Sequence, residues 1–103
     1  MKQHITKEQW NELTEKQAET FTEWETNLGY FSKERYIALN KINEDLNNPS
    51  IGEMIEFLGD DFKEIRYVSG SWKVFFYIKG ELIELLGKNL CDSLWEACKE
   101  KLK

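Results

Sequence analysis

The fold is decided by the stretch Ile65-Arg66-Tyr67-Val68-Ser69-Gly70-Ser71-Trp72-Lys73-Val74-Phe75-Phe76-Tyr77-Ile78. Aromatic and β-branched residues fill both halves of it, and turn-forming residues separate the halves at Ser69-Gly70-Ser71. The stretch therefore predicts a β-hairpin. One face of its second strand carries Trp72, Val74, Phe76 and Ile78, and the other carries Lys73, Phe75, Tyr77 and Lys79.

The second of these faces is only half polar, so we expect it either to be covered or to be used for binding. A further tight turn is predicted at Lys79-Gly80. The segment that follows, residues 81–86, fits a third strand or an early helical turn, and its sequence leaves both open.

The chain before the hairpin carries helical signals. Thr6 and Gln9 form a capping box, and apolar residues then recur at helical spacing: Trp10, Leu13, Phe21, Trp24 and Leu28. Residues 7–28 form either one helix or two helices broken near Thr14, where Thr14 and Gln17 make a second capping box. The spacing favours helix throughout, with at most a kink.

Two further helices are predicted between Ser32 and Gly59. Residues 32–46 carry a helical apolar line that stops before Pro49, although Tyr30-Phe31 would also suit a short strand. Ser50, with Glu53 as its reciprocal partner, begins a short buried helix that Gly59 ends.

The C-terminal part of the chain predicts an amphipathic helix. Its apolar line consists of Leu90, Leu94, Cys98 and Leu102. We therefore predict one α+β domain over residues 1–103, with amphipathic helices packed on a small antiparallel β-hairpin or three-stranded sheet and a C-terminal helix.

Charge and targeting signals limit the function classes. Nineteen acidic and fourteen basic residues give a net charge of −5, and no window supplies the basic stripe that tracks phosphates. Direct binding of nucleic acid is therefore not expected. The chain shows neither a signal peptide nor a long apolar run, which predicts a cytoplasmic protein that stays in the compartment where it is made, with no membrane partner.

The sequence contains no recognisable catalytic or metal-binding constellation. His4 is the only histidine and stands where fraying is expected, so a catalytic triad is disfavoured. Cys91 and Cys98 lie two helical turns apart, too far for a disulfide, and fit the core better than a redox or zinc site. We predict no enzyme activity, no metal and no cofactor.

Aromatic residues supply the candidate binding surface. The four tryptophans, Trp10, Trp24, Trp72 and Trp95, are predicted to serve the core, one in each major element. Aromatic residues of the hairpin, together with the acidic turn before it, give the candidate partner-binding residues Asp60, Asp61, Tyr67, Trp72, Phe75 and Tyr77.

Three stretches carry a resemblance to a known group of proteins: residues 4–9 followed by Leu13, residues 50–58 and residues 90–100. They resemble small uncharacterised proteins of phages and prophages of Gram-positive, Firmicutes-type bacteria. The resemblance covers about a third of the chain and implies a phage context, with the protein in the bacterial host cytoplasm, but it implies no catalytic residues.

A phage context favours stoichiometric binding to a host or phage protein. The leading hypothesis is an inhibitor of a bacterial defence protein, similar to an anti-CRISPR protein, in which acidic groups steer toward a basic surface and aromatic side chains anchor the contact. The alternatives are a sponge for a nucleotide messenger, which would use the aromatic, lysine and arginine residues of the hairpin, and a homo-oligomeric phage regulator or assembly adaptor.

Overall fold

Helices and an antiparallel sheet make up the fold, which confirms the predicted α+β class. The computed structural model describes residues 2–27 and 48–103. Its elements are α1 (Lys7–Trp10), α2 (Glu15–Asn27), α3 (Ile51–Leu58), a 3-10 turn (Gly59–Asp61), β1 (Phe62–Val68), β2 (Ser71–Ile78), β3 (Glu81–Gly87) and α4 (Leu90–Leu102). The helix predicted over residues 32–46 and the alternative strand at Tyr30-Phe31 lie outside the described residues.

The predicted hairpin forms and is extended by a third strand, so residues 81–86 are strand and not helix. The strands pair antiparallel in the order β1-β2-β3. Two-residue turns join them, and in both turns the two central residues have positive φ, 53° and 80° at Ser69-Gly70 and 51° and 82° at Lys79-Gly80. Type I′ turns require this geometry, and their twist matches that of the strands.

The first helical region is broken, so the expectation of helix throughout residues 7–28 is wrong and the two-helix alternative is right. Gln9 closes a capping box with Thr6, and Gln17 closes a second one with Thr14 through hydrogen bonds of 3.0 and 3.2 Å. The second box satisfies the free backbone N–H groups of a new helix start. Local capping therefore outweighs continuous apolar spacing here.

Helix α3 is held at both ends. The Ser50 hydroxyl accepts a hydrogen bond from the backbone N–H of Glu53, as predicted. Gly59 follows the helix with φ 55° and ψ −127°, a conformation that favours glycine. The Lys101 ammonium donates to the carbonyl oxygens of Phe57 and Leu58 at 2.6 and 3.3 Å, which satisfies groups that a helix C-terminus leaves free.

The C-terminal helix α4 lies at the centre of the fold. It packs against β2 and β3 on one side and against α2 and α3 on the other. Its buried residues therefore run almost around the helix: Leu90, Cys91, Ser93, Leu94, Trp95, Ala97 and Cys98. The predicted apolar line therefore contains only some of the residues that this helix buries.

Aromatic rings fill the layer between α4 and the first helices. Phe21 on α2 lies 4.6 Å from Phe57 on α3 and 6.5 Å from Trp95 on α4, measured between ring centroids. Trp95 is fully buried, whereas Trp10, Trp24 and Trp72 are partly buried and pack against the core. The prediction that the tryptophans serve the core is confirmed, with Trp95 at its centre.

The N-terminal segment is anchored, so the expectation that it frays around His4 is wrong. Ile5 is fully buried, and its backbone N–H donates to the Pro49 carbonyl at 3.2 Å. Asn48 donates from Nδ2 to the Ile5 carbonyl at 3.1 Å, and His4 pairs with Ser50 in a single β-bridge. The buried side chain of Ile5 and the hydrogen bonds on either side of it therefore hold this segment in place.

Candidate functional site

One face of the sheet has no helix packed on it among the described residues. Val74 and Phe76, which point to the opposite face, are fully buried against α4. Residues paired across antiparallel strands point to the same side, so the register assigns the uncovered side directly. We call it the outer sheet face, and it consists of Glu64, Arg66, Val68, Lys73, Phe75, Tyr77, Leu82, Glu84 and Leu86.

Apolar side chains concentrate on the outer sheet face. Val68, Leu82 and Leu86 are 47%, 49% and 63% exposed, and with Tyr67 they are the exposed large hydrophobic residues of the described chain. Phe75 and Tyr77 stand between them on β2 and are partly buried. Tyr77 pairs directly with Leu82 and lies next to Phe75 on this face, whereas Val68 and Leu86 lie beside the charged row of Arg66 and Lys73. Single exposed apolar residues are ordinary on a protein surface, but several on one sheet face are typical of a binding surface.

The charged residues of this face neutralise one another. Arg66 donates to both carboxylate oxygens of Glu64 at 2.9 and 3.1 Å, and its guanidinium lies 5.5 Å from the centroid of the Phe75 ring. The hydrogen bond from Arg66 lowers the pKa of Glu64, and the same pairing raises the pKa of Arg66. Lys73 pairs with Glu84 at 3.3 Å.

These pairings decide which ligands suit the outer sheet face. A phosphate ligand needs free cationic groups, and here Arg66 and Lys73 are already engaged by carboxylates. An apolar, charge-balanced surface of this kind suits a protein partner better, because aromatic and aliphatic anchors supply affinity at protein interfaces.

The structure separates the sequence-predicted site residues into three places. Phe75 and Tyr77 lie on the outer sheet face. Tyr67 and Trp72 are cross-strand partners on the helix-facing side, with ring centroids 4.9 Å apart, at the end of the sheet near the first turn. Asp60 and Asp61 lie at the opposite end of the hairpin, in the 3-10 turn before β1.

Asp61 takes part in a shallow open groove of about 350 Å³. The Asp61 carboxylate lies 3.6 Å from the ammonium of Lys101. The groove is lined by Asp61, Tyr77, Ile78, Lys79, Glu100, Lys101 and Lys103. Lys101 is held by the end of α3 and Lys103 pairs with Glu100 at 2.8 Å, which leaves Lys79 as the more available cation of the groove.

The exposed leucines of β3 are not among the sequence-predicted site residues. Leu82 and Leu86 alternate with Ile83 and Leu85, which point to the helix-covered side. That alternation becomes visible only once residues 81–86 are known to be strand, because a helix would place the same residues differently.

A buried carboxyl group lies in the core between α2 and α3. Glu25 on α2 is only 7% exposed, and its pKa is raised to about 9, first by burial, then by a hydrogen bond to Glu53 and by the charge of that residue. One carboxyl oxygen of each residue, Oε2, is buried without a hydrogen-bond partner. The arrangement is a buried carboxyl pair that joins α2 to α3, away from the outer sheet face.

The two cysteines behave as core residues. Both are buried free thiols, and Cys98 donates its S–H to the Met54 carbonyl at 3.7 Å. Burial raises the pKa of the Cys91 thiol to about 11 and raises that of Cys98 further. Neither thiol has the activated thiolate that redox chemistry needs.

Within residues 2–27 and 48–103, no three His, Cys, Asp or Glu side chains cluster in a way that could hold a metal ion. Over the same residues, no helix is both long and apolar enough to cross a membrane.

Comparison with known proteins gives no relative for this chain. No protein-family model, curated protein or solved structure matches it. The functional argument therefore rests on the surfaces and contacts of the molecule itself.

Proposed function

We propose that this protein is a stoichiometric protein-binding module that inhibits a bacterial defence protein, and that it docks through the outer sheet face. The observation that carries the proposal is the group of exposed apolar residues on that face, Val68, Leu82 and Leu86 around Phe75 and Tyr77. Such a surface has no role in the core of the chain and matches the anchors of protein interfaces.

Charge favours a partner with a basic surface, such as a nuclease or another nucleic-acid-binding defence protein. The chain carries a net charge of −5. On α2, Glu15, Glu19 and Glu23 are exposed at successive four-residue intervals without an ion pair to another described residue. Like charges at this spacing weaken a helix slightly, whereas a negative field speeds association with a basic partner.

The test is capture of the partner by tagged wild-type protein and by matched variants. The double substitution Phe75→Ser and Tyr77→Ser removes two aromatic residues of the outer sheet face and is expected to abolish stoichiometric capture. Tyr67→Ser removes an exposed aromatic residue from the other side of the same sheet and is expected to leave capture unchanged. Equal capture by all variants contradicts the proposal.

A functional readout accompanies capture. Expression of the wild-type protein is expected to restore phage infection of a strain protected by the captured defence protein, and the double variant is expected to lose this effect. Raising the salt concentration is expected to weaken the complex several-fold, because screening reduces electrostatic steering. A complex that forms without inhibiting its partner supports binding and contradicts inhibition.

A second candidate function is the sequestration of a small anionic ligand such as a nucleotide. The groove beside Asp61 favours it, because its volume of about 350 Å³ falls within the usual range for ligand sites and it contains Tyr77, Lys79 and Lys103. A nucleotide panel in a thermal-shift assay tests it, since a tightly bound ligand must raise the melting temperature. No shift with any nucleotide contradicts this function.

A further inference from the structure

The two outer strands of the sheet differ in how well they are protected against pairing. Strand β1 has a register irregularity between Phe62 and Glu64, and its edge carries Lys63, Glu64 and Arg66. A bulge and charged side chains are the usual devices that prevent edge pairing.

Strand β3 lacks a bulge, and its only charged side chains are Glu81 and Glu84. Its pairing to β2 runs without a shift from Trp72↔Gly87 to Ile78↔Glu81, so the strand is regular over its seven residues. It contains no proline or lysine, and Leu82 and Leu86 stand exposed beside its outward edge. On the described chain, no strand pairs with that edge. A regular, apolar edge strand is a template for a further strand.

We infer that β3 pairs antiparallel with β3 of a second copy of this chain, which joins two three-stranded sheets into one of six strands. A two-fold axis at Glu84 places Leu82 of each copy opposite Leu86 of the other and Ile83 opposite Leu85. Apolar residues then meet apolar residues on both sides of the sheet. The sequence of β3 is thus complementary to itself.

One like-charge contact opposes this register, and a neighbouring lysine partly offsets it. The two Glu84 carboxylates face each other across the axis, but Lys73 lies 3.3 Å from Glu84 in each copy and offsets its charge. Pairing also covers leucines that are 49% and 63% exposed in the single chain. If the second strand is shifted by two residues, Glu84 lies opposite Leu82 or Leu86, which pairs a charged side chain with an apolar one. A second copy is therefore best accommodated with the axis at Glu84.

The inference goes beyond the proposed function, and different residues test it. Phe75 and Tyr77 lie on the central strand, away from the β3 edge, so their substitution tests docking of the defence protein. Substitutions at Leu82 and Leu86 test pairing through the oligomeric state of the isolated protein. A chain that dimerises but captures no partner supports the pairing inference alone. A monomer that captures a partner supports the proposed function alone.

Sedimentation of the purified chain over a wide concentration range is the first measurement. A reversible dimer is expected. Leu82→Lys and Leu86→Glu are each expected to weaken it at least tenfold, whereas Val68→Lys, at an equally exposed site on the β1 edge, is expected to leave it unchanged. A wild-type chain that stays monomeric at all concentrations overturns the inference.

A mixture of variants tests the register. When Leu82→Lys and Leu86→Glu chains are mixed, the introduced lysine faces the introduced glutamate once and Leu86 faces Leu82 once, so dimerisation is expected to return. Mixing Leu82→Lys with Leu82→Glu brings no such pair together and is expected to give no recovery. Glu84→Cys is expected to form an intermolecular disulfide on oxidation, and Glu64→Cys is not. Recovery in the second mixture, or equal cross-linking of both cysteine variants, overturns the register.

Discussion

Glu25 on α2 and Glu53 on α3 form a buried carboxyl pair that holds a proton at neutral pH. Burial raises the pKa of Glu25 to about 9, and hydrogen bonding to Glu53 and the charge of Glu53 act in the same direction. The pair lies where α2 meets α3, next to the contact between Phe21 and Phe57. The docking of α2 on the fold is therefore linked to a proton.

The first prediction concerns the effect of pH on stability. The folded chain keeps the Glu25 proton that the unfolded chain loses near pH 4.5, so the contribution of this group to the free energy of unfolding falls as pH rises from about 4.5 to about 9. Glu25→Gln removes the ionisation and is expected to raise the free energy of unfolding by about 1 to 3 kcal/mol at pH 8.

The measurement is urea unfolding of the wild type and Glu25→Gln at pH 5, 7 and 9. The two proteins are expected to converge at pH 5 and to diverge as pH rises. Glu15→Gln, on an exposed position of the same helix, serves as the control and is expected to follow the wild type. A constant difference between wild type and Glu25→Gln at all three pH values would contradict the account of this pair.

The second prediction concerns the turns. Ser69 and Lys79 hold φ of 53° and 51°, where asparagine is tolerated better than serine or lysine. Ser69→Asn and Lys79→Asn are each expected to raise the free energy of unfolding by about 0.5 kcal/mol, and the two effects are expected to add. Thermal unfolding of the single and double variants checks this, and a loss of stability in either single variant contradicts the turn assignment.

The third prediction concerns the close approach of Gly87 to α4. A Cβ atom at Gly87 would collide with the Ser93 hydroxyl, which donates to the Asn89 carbonyl at 3.2 Å. Gly87→Ala is therefore expected to lower the free energy of unfolding by about 1 to 2 kcal/mol.

A double-mutant cycle tests that cause. Ser93→Ala removes the colliding oxygen, so Gly87→Ala is expected to cost much less in that background. Equal costs in both backgrounds would contradict the contact with the Ser93 hydroxyl as the cause.

The fourth prediction concerns the attachment of α4 to the end of α3. Lys101 donates to two carbonyl groups there, lies 4.9 Å from the Phe57 ring centroid and pairs with Asp61. Lys101→Met is expected to lower the free energy of unfolding by about 1 to 2 kcal/mol. Lys103→Met, which removes an exposed pair with Glu100, is the control and is expected to change it by less than about 0.5 kcal/mol. Equal effects of the two substitutions contradict the capping role.

Local signals predict much of this fold. The turn at Ser69-Gly70 and the cap at Ser50 act over a few residues, so the hairpin and α3 follow from sequence. The sequence contains the capping box at Thr14 that begins α2. The continuous apolar spacing favours one helix instead, and that interpretation is wrong. Thr14 and Gln17, which form that capping box, are the residues that break the helix in the structure.

The candidate site was harder to predict because it depends on tertiary placement. Nothing near Leu82 says which side of the sheet α4 covers, so the exposure of that leucine follows only from the packed structure. Glu25 gives no local sign of burial, because a glutamate on an amphipathic helix is normally exposed. Tyr67 and Phe75 looked equivalent in sequence, and strand register puts them on opposite faces.

The three stretches from which a phage resemblance was predicted meet in space. The Lys2 ammonium and the Gln9 amide both donate to Asp92 on α4, at 2.7 and 2.8 Å. His4 pairs with Ser50 at the start of α3. These stretches form one structural unit, so their sequence pattern reflects folding, and the outer sheet face lies in the segment between the second and third stretches.

The most direct test of the central claim is hydroxyl-radical footprinting of the chain, free and bound to its captured partner, at a concentration where the free chain is monomeric. The account predicts a several-fold loss of oxidation at Leu82, Leu86, Phe75 and Tyr77 in the complex, with oxidation of Tyr67 unchanged. Protection confined to α2, with the outer sheet face oxidised equally in both states, would contradict it.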